Sequence, residues 1–381
     1  MPHRQELEQW EAEVSSHMGH LNRALLKVLA IYAFGMALTR HSGQSFVVEA
    51  LSQLLGGKRE ALSQRLRELT YESSAKRGNQ RCELDVTTCF GPLMRWVLTT
   101  FDAQRRDLVL ALDATYLRDR FTILAVSVVV AGCAIPVAWH IQSGGETGQW
   151  NPLWRQLLGY VKAAVPANWT VCVLADSGLY AKSLFNHIRH DLKWHPHLRI
   201  GTRGLCREPN GTWLPLAQLA SRGMQPMSVH RICFKGNPLA CTLLVEWDAA
   251  CDQPCLVVTD VSLKHARHTT YHLRFWIERG FKALKRGGLH WEHTKMTDPR
   301  RAERLWLVMS IALLYLVTLG LAADLQLGQA TYTHARRPRL SDLHHGWITL
   351  IVHLITHRPL PPTRSFAYDA LSVPIPAHTY P

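Results

Sequence analysis

Apolar positions along the 381 residues follow two patterns, and the pattern changes near residue 105. Before that point they recur every three or four residues, as in helices with one buried face. The spacing predicts a helix over 21–38, then a helix, a Gly56-Gly57 turn and a second helix over 45–69. In this last helix Arg59, Arg65 and Arg67 stand beside Leu62, Leu66 and Leu69. A DNA-binding helix-turn-helix has that composition, and so has an ordinary helical hairpin.

From Asp107 the apolar residues run together, as in strands buried on both faces. DLVLALDAT (107–115), RFTILAVSVVV (120–130) and CAIPVAWHI (133–141) predict three antiparallel strands, the last two joined at Ala131-Gly132. A helix over 148–165 follows, then a strand in TVCVLADSGLY that stops at Asp176-Ser177-Gly178. A helix over 181–192 and a strand over 197–203 complete an α/β core. Between 205 and 260, Gly, Pro, Asn and Asp separate the short apolar pieces 230–236, 240–247 and 254–261. That segment predicts a mostly β insertion whose last strand returns to the core. Beyond it the pattern predicts helices over 271–285 and 302–323, a basic linker at 330–340, a helix over 341–357 and a Pro-rich tail over 358–381. The expected organisation is a helical region over 1–100, a core over 101–204 and 261–330 interrupted by the 205–260 insertion, and a C-terminal segment over 331–381.

Two apolar runs, 121–139 and 305–323, have the length of a membrane span. Gly132, Pro136 and many β-branched residues mark the first as a buried hairpin. Ser310, Tyr315 and Thr318 suit the second to the core of a large domain, so no membrane association is expected. The polar N-terminus has no apolar core of a secretory signal.

Charge narrows the partner. Lys and Arg number 43 against 29 Asp and Glu, a net charge of +14, which favours a polyanion and nucleic acid first. Nine scattered cysteines argue for a reducing compartment, not a disulfide framework. Cys251 and Cys255 lack a second pair at zinc-site spacing.

One basic helix keeps a single acid. In YHLRFWIERGFKALK, Glu278 stands among Arg274, Arg279, Lys282 and Lys285, with Arg286 just outside. At about 100° per residue, Arg274, Glu278, Lys282 and Lys285 fall within about 60° of Tyr271. Leu273, Ile277, Phe281 and Leu284 occupy the opposite side. By itself such a stripe is a solvated face with Arg274–Glu278 and Glu278–Lys282 pairs worth about 0.2–0.5 kcal/mol each.

Tyr271-x2-Arg274-x3-Glu278-x6-Lys285 resembles, without gap or substitution, the Tyr-Arg-Glu-Lys signature of bacterial insertion-sequence DDE transposases. The resemblance spans about residues 105–325, and over the N-terminal hundred it is architectural only. In that family the first aspartate ends the first core strand before a small residue and Thr, where this chain has Asp113-Ala114-Thr115. The second lies in an Asp-x-Gly-aromatic turn, matched by Asp176-Ser177-Gly178-Leu179-Tyr180; Ser177 departs from the Arg often found there. The spacing of 102 positions from Asp176 to Glu278 leaves room for the β-rich insertion the family carries at that point.

The resemblance implies an α/β fold with an RNase H-like mixed sheet, flanking helices, the insertion and the helical N-terminal region. It implies that Asp113, Asp176 and Glu278 are catalytic and hold two Mg²⁺ or Mn²⁺ ions. Tyr271, Arg274 and Lys285 would hold phosphates of a transposon end, with Arg279, Lys282 and Arg286 extending the DNA track. A tryptophan of the insertion, Trp247 before Trp213, would stack a flipped base. The expected partners are double-stranded transposon ends and target DNA, bridged by a homodimer in the bacterial cytoplasm. The expected activity is cleavage at terminal inverted repeats and joining of the 3′-OH ends to target DNA. A silent DNA-binding descendant would have lost an acid, and all three remain; a metal-dependent nuclease without strand transfer keeps the same acids.

Overall fold

A computed structural model of the chain describes residues 4–77, 81–130, 132–146, 148–326, 341–361 and 363. Ala131, the basic linker at 330–340 and the tail from residue 364 lie outside the described residues.

Five helices precede the first strand: α1 (Arg4–His17), α2 (Arg23–Thr39), α3 (Gln44–Leu55), α4 (Arg59–Leu69) and α5 (Thr87–Thr99). Asn22 caps α2 by accepting from the Leu25 N–H. The Gly56-Gly57 turn between α3 and α4 uses a left-handed Gly56 (φ 60°), a conformation that suits glycine. On α4, Leu66 and Leu69 are buried while Arg59, Arg65 and Arg67 face solvent.

The sheet begins with β1 (Asp107–Leu117), β2 (Phe121–Val130) and β3 (Cys133–Ser143), paired antiparallel as the apolar runs predict. Helix α6 (Trp150–Lys162) leads to β4 (Thr170–Ala175), which lies parallel to β1 on its other side. Helix α7 (Lys182–Asn186), prolonged by a π-helical turn, leads to β5 (His195–Ile200), parallel to β4. The core order β3-β2-β1-β4-β5, with β2 alone running against the others, is a mixed sheet flanked by helices, as expected.

The insertion does not form a separate sheet. Strands β6 (Leu205–Arg207), β7 (Trp213–Pro215), β8 (Met224–Cys233), β9 (Leu239–Trp247) and β10 (Cys255–Thr259) follow. β10 pairs antiparallel with β5, so one ten-stranded sheet runs on through β10-β9-β8-β6-β7. The piece expected as a strand over 230–236 is the end of β8; Phe234, with φ 67°, starts the turn into β9.

The helix expected over 271–285 is two helices, α8 (His268–His272) and α9 (Phe275–Leu284). Further on come α10 (Pro299–Gln326) and α11 (Asp342–Ile355). α10 is long and apolar enough to cross a bilayer, but 94% of its apolar window is buried within the protein. It packs on α2, α11 and β3, the setting of a core helix. α9 lies on β3, where Gly280 faces the Ala134 carbonyl so closely that a Cβ would come within 2.3 Å of its oxygen.

Candidate active site

Two parallel strands bring the aspartates together. Leu112 of β1 is in register with Ala175 of β4, so Asp113 and Asp176 are the next residues on adjoining strands. Asp113 Oδ1 accepts from its neighbour's N–H, that of Ala114, at 2.8 Å. Asp176 does the same with Ser177 N–H at 2.8 Å, capping a short 3₁₀ turn. Each aspartate is thereby oriented by its own backbone with one oxygen left to act outward.

Glu278 arrives from α9, and a cation joins the three acids. The Arg274 guanidinium donates to Asp113 Oδ2 at 3.1 Å and to Glu278 Oε1 at 2.8 Å. It also lies 4.0 Å from Asp176 Oδ2. Arg274 is only 9% exposed. A second cation, Arg199 on β5, stands 3.5 Å from Asp176 Oδ1. Arg199 was not singled out by its sequence neighbourhood. Its place follows from the β4–β5 register, which pairs Ala175 with Leu198 and so sets the next residues side by side.

The electrostatics follow the burial. Asp113 is pushed up to about 6, first by burial and further by the charges of Asp176 and Glu278; Arg274 and the Ala114 N–H only partly oppose this. Burial also works against the charge on Arg274, but Tyr271 and the three acids outweigh it and hold it above its ordinary value. The site is a carboxylate cluster short of positive charge. Its donors are all hard oxygens from three elements that already converge on one cation, a set that fits a divalent ion such as Mg²⁺.

Tyr271 lies on α8, before a break in the helix, and stays close enough to Arg274 and Asp176 to feel their charges. Arg274 N–H bonds to Tyr271 O, Trp276 N–H to Leu273 O and Ile277 N–H to Arg274 O. These i→i−3 bonds wind the chain at about three residues per turn, so residues before them rotate relative to α9. Tyr271 is buried against Leu244, Cys255, Val257 and Ala266, and its hydroxyl has no hydrogen-bond partner among the described residues. Burial pushes that phenol well above its ordinary range.

The remaining predicted residues divide by exposure. Lys285, just past α9, donates to Thr115 Oγ1 at 2.6 Å and to Tyr116 O at 2.7 Å, close behind Asp113 on β1. Burial, with the charge of Arg286 beside it, lowers its pKa. Lys282 and Arg286 point to solvent, as does Arg279, whose guanidinium covers the Trp276 ring at 4.5 Å. Trp247 ends β9 half-buried, its indole N–H bonded to Cys251 O at 3.0 Å; Trp213 is also half-buried, on the edge strand β7. Beside Tyr271, Glu246 bridges His272 (2.5 Å) and His268 (3.4 Å). Burial opposes the Glu246 charge, but its hydrogen bonds to the two histidines outweigh it and bring the carboxyl down to about 2.

Residues 143–315 match the family model described as "Transposase DDE domain", a span that includes Asp176 and Glu278 and begins after Asp113. No curated protein matches the chain. Among solved structures, the chain is similar to the piggyBac transposase in a synaptic complex with hairpin DNA. The likeness has a TM-score of 0.42 and 10% identity, and covers 92% of this chain and 78% of that one.

Proposed function

We propose that this chain, which carries the match to a transposase DDE domain, is a DNA transposase of an insertion sequence. On this reading it binds the element's terminal inverted repeats, cleaves the DNA to expose 3′-OH ends and joins them to target DNA. The observation that carries the reading is the convergence of Asp113, Asp176 and Glu278 on Arg274. Asp113 inside β1 rather than at its end, Asp176 just past the end of β4, and Glu278 on a helix over them are costly together unless a cation is held there.

Asp113, Asp176 and Glu278 would hold two Mg²⁺ or Mn²⁺ ions, which activate the attacking oxygen and steady the leaving one. The protein's own part is positioning. The backbone bonds from Ala114 and Ser177 fix the aspartate carboxylates. A guanidinium pairs bidentately with phosphate as readily as with carboxylate, so Arg274 can hold a DNA phosphate beside the acids. Lys285, tied to β1 through Thr115 and Tyr116, presents a further point charge on the same side. Tyr271 completes the signature from its buried position. Lys282, Arg279 and Arg286 supply surface charge along which duplex DNA can run. Trp247 is the tryptophan assigned to stacking a flipped base. The paired-end complex would be a homodimer, working in the bacterial cytoplasm.

The test uses the full-length protein with a duplex carrying the inverted repeats that flank its coding frame. With Mg²⁺, the wild type yields nicked ends and joined products. Glu278→Gln retains end binding in a mobility-shift assay and gives neither product. Nicks without joined products would assign the chain as a nuclease instead. Full strand transfer by Glu278→Gln would refute the reading.

A further inference from the structure

A second set of metal-ligating side chains lies beyond the end of α9. His290, Glu292 and His293 offer ligand atoms that all lie within 4.8 Å of one another. Glu292 Oε1 is 3.7 Å from His290 Nδ1 and 3.6 Å from His293 Nε2. Those separations are too long for hydrogen bonds. They are close to the spacing of about 3.4 Å between ligand atoms arranged tetrahedrally around an ion at about 2.1 Å.

Two further observations separate this trio from an ordinary surface ion pair. Glu292 Oε2 is sealed from solvent and accepts no hydrogen bond among the described residues. His290 holds φ 54°, a left-handed conformation that costs energy in a non-glycine residue and is kept only where the surroundings enforce it. Here the His290 N–H is tied to Lys285 O at 2.8 Å and the Leu289 N–H to Ala283 O at 2.8 Å. His293 is 64% exposed, which leaves a path for an ion to enter.

We propose that His290, Glu292 and His293 bind one transition-metal dication of the Zn²⁺ class, separate from the carboxylate cluster at Asp113, Asp176 and Glu278. Two imidazoles and one carboxylate form a borderline donor set that selects Zn²⁺ over Mg²⁺, which wants hard oxygen alone. His41 stacks beside the trio, its ring centroid 5.6 Å from that of His290. It is not a ligand: its Nδ1 accepts from Gly43 N–H at 2.8 Å, so the neutral ring carries its proton on Nε2. The fourth position is left to water.

The location gives the ion a role. Ser42 N–H bonds to Leu289 O at 2.6 Å and Arg40 to Gly287 O at 3.1 Å. These bonds join the turn between α2 and α3 to the loop that follows Lys285. An ion on 290–293 would stiffen that loop, and with it the junction between the helical N-terminal region and the helix bearing Glu278.

The experiment is a Zn²⁺ titration of chelator-stripped full-length protein against a chromophoric indicator, with Mg²⁺ in excess to fill oxygen-only sites. The wild type should bind one Zn²⁺ per chain. His293→Ala, a change at an exposed position that the fold tolerates, should weaken that binding by at least about tenfold, since even outer-shell changes cost that much. Glu278→Gln should bind Zn²⁺ as the wild type does. Substituted Co²⁺ should show visible absorption of a four-coordinate site, lost in His290→Ala. Equal Zn²⁺ affinity in wild type and His293→Ala would overturn the proposal. So would loss of the site in Glu278→Gln, which would assign the zinc to the carboxylate cluster.

Discussion

Arg274 donates to the Asp113 carboxylate at 3.1 Å, joining two residues 161 positions apart in the chain. The same guanidinium reaches Glu278 at 2.8 Å and lies 4.0 Å from Asp176. One buried cation therefore stands where three acids meet. Removing it leaves the carboxylates to repel one another in a poorly solvated place. Arg274→Gln is expected to destabilise the metal-free protein by about 3 kcal/mol, the cost of breaking a buried pair. Millimolar Mg²⁺ should restore more stability to the variant than it adds to the wild type. Thermal unfolding of both proteins with and without Mg²⁺ measures this, and equal melting temperatures without metal would exclude such a role for Arg274.

Two acids give the metal-free protein opposite pH limbs. Asp113 is raised to about 6, from an ordinary value of 3.8, by burial first and then by its acidic neighbours. A raised carboxyl stabilises the fold while protonated, so its contribution is complete below about pH 3.8 and fades as pH rises through about 6. Glu246 is brought down to about 2 by His268 and His272 despite its burial. Its contribution is present above its ordinary value of 4.5 and is lost as pH falls toward 2. Denaturant unfolding from pH 3 to 7 should therefore show Asp113→Asn flattening the upper limb and Glu246→Gln the lower.

Lys285 and Lys282 sit three residues apart and should behave differently with DNA. Lys285 is held against β1 by Thr115 and Tyr116, whereas Lys282 is free in solvent. An exposed lysine over phosphate acts by releasing counterions. Lys282→Ala should weaken end binding alike on every sequence and reduce the salt slope by about one. Lys285→Ala removes a positioned charge beside the acids and should lower cleavage more than binding. Mobility shifts across a salt series, set beside single-turnover cleavage, separate the two effects.

The reach of the sequence pattern differs between these residues for physical reasons. Asp113 and Asp176 were legible because an acid that follows or interrupts an apolar run marks a place where a buried strand meets solvent. The buried side of α9 was legible too, since Ile277, Phe281 and Leu284 keep a helical period and are all buried. The break between α8 and α9 was not, because a helical wheel assumes one winding throughout and nothing local marks the tighter turn at Leu273–Arg274. Arg199 was hidden for another reason. Its approach to Asp176 depends on the register between β4 and β5, which is set by packing over the whole core. The joining of the insertion to the core sheet depends in the same way on the long-range pairing of β10 with β5.

Gly280 links packing to chemistry most directly. It stands two residues after Glu278, on the side of α9 that rests on β3, and a Cβ there would lie 2.3 Å from the Ala134 oxygen. That oxygen belongs to the backbone of a buried strand and cannot turn aside, so α9 itself must lift. Overpacking of this kind costs about 1–3 kcal/mol. The lift also carries Glu278, together with Arg274 at the helix N-cap, away from Asp113 and Asp176, and on the proposed function a misplacement of about 1 Å can cost about a hundredfold in rate. Gly280→Ala should thus lower cleavage far more than its modest loss of stability explains, at temperatures where the variant is fully folded. A core change far from the site, Val14→Ala on α1, is the control, since it costs stability without touching the α9–β3 contact. Single-turnover cleavage alongside melting curves decides the matter: a variant that loses stability while cleaving at the wild-type rate would show that α9 can shift without moving Glu278.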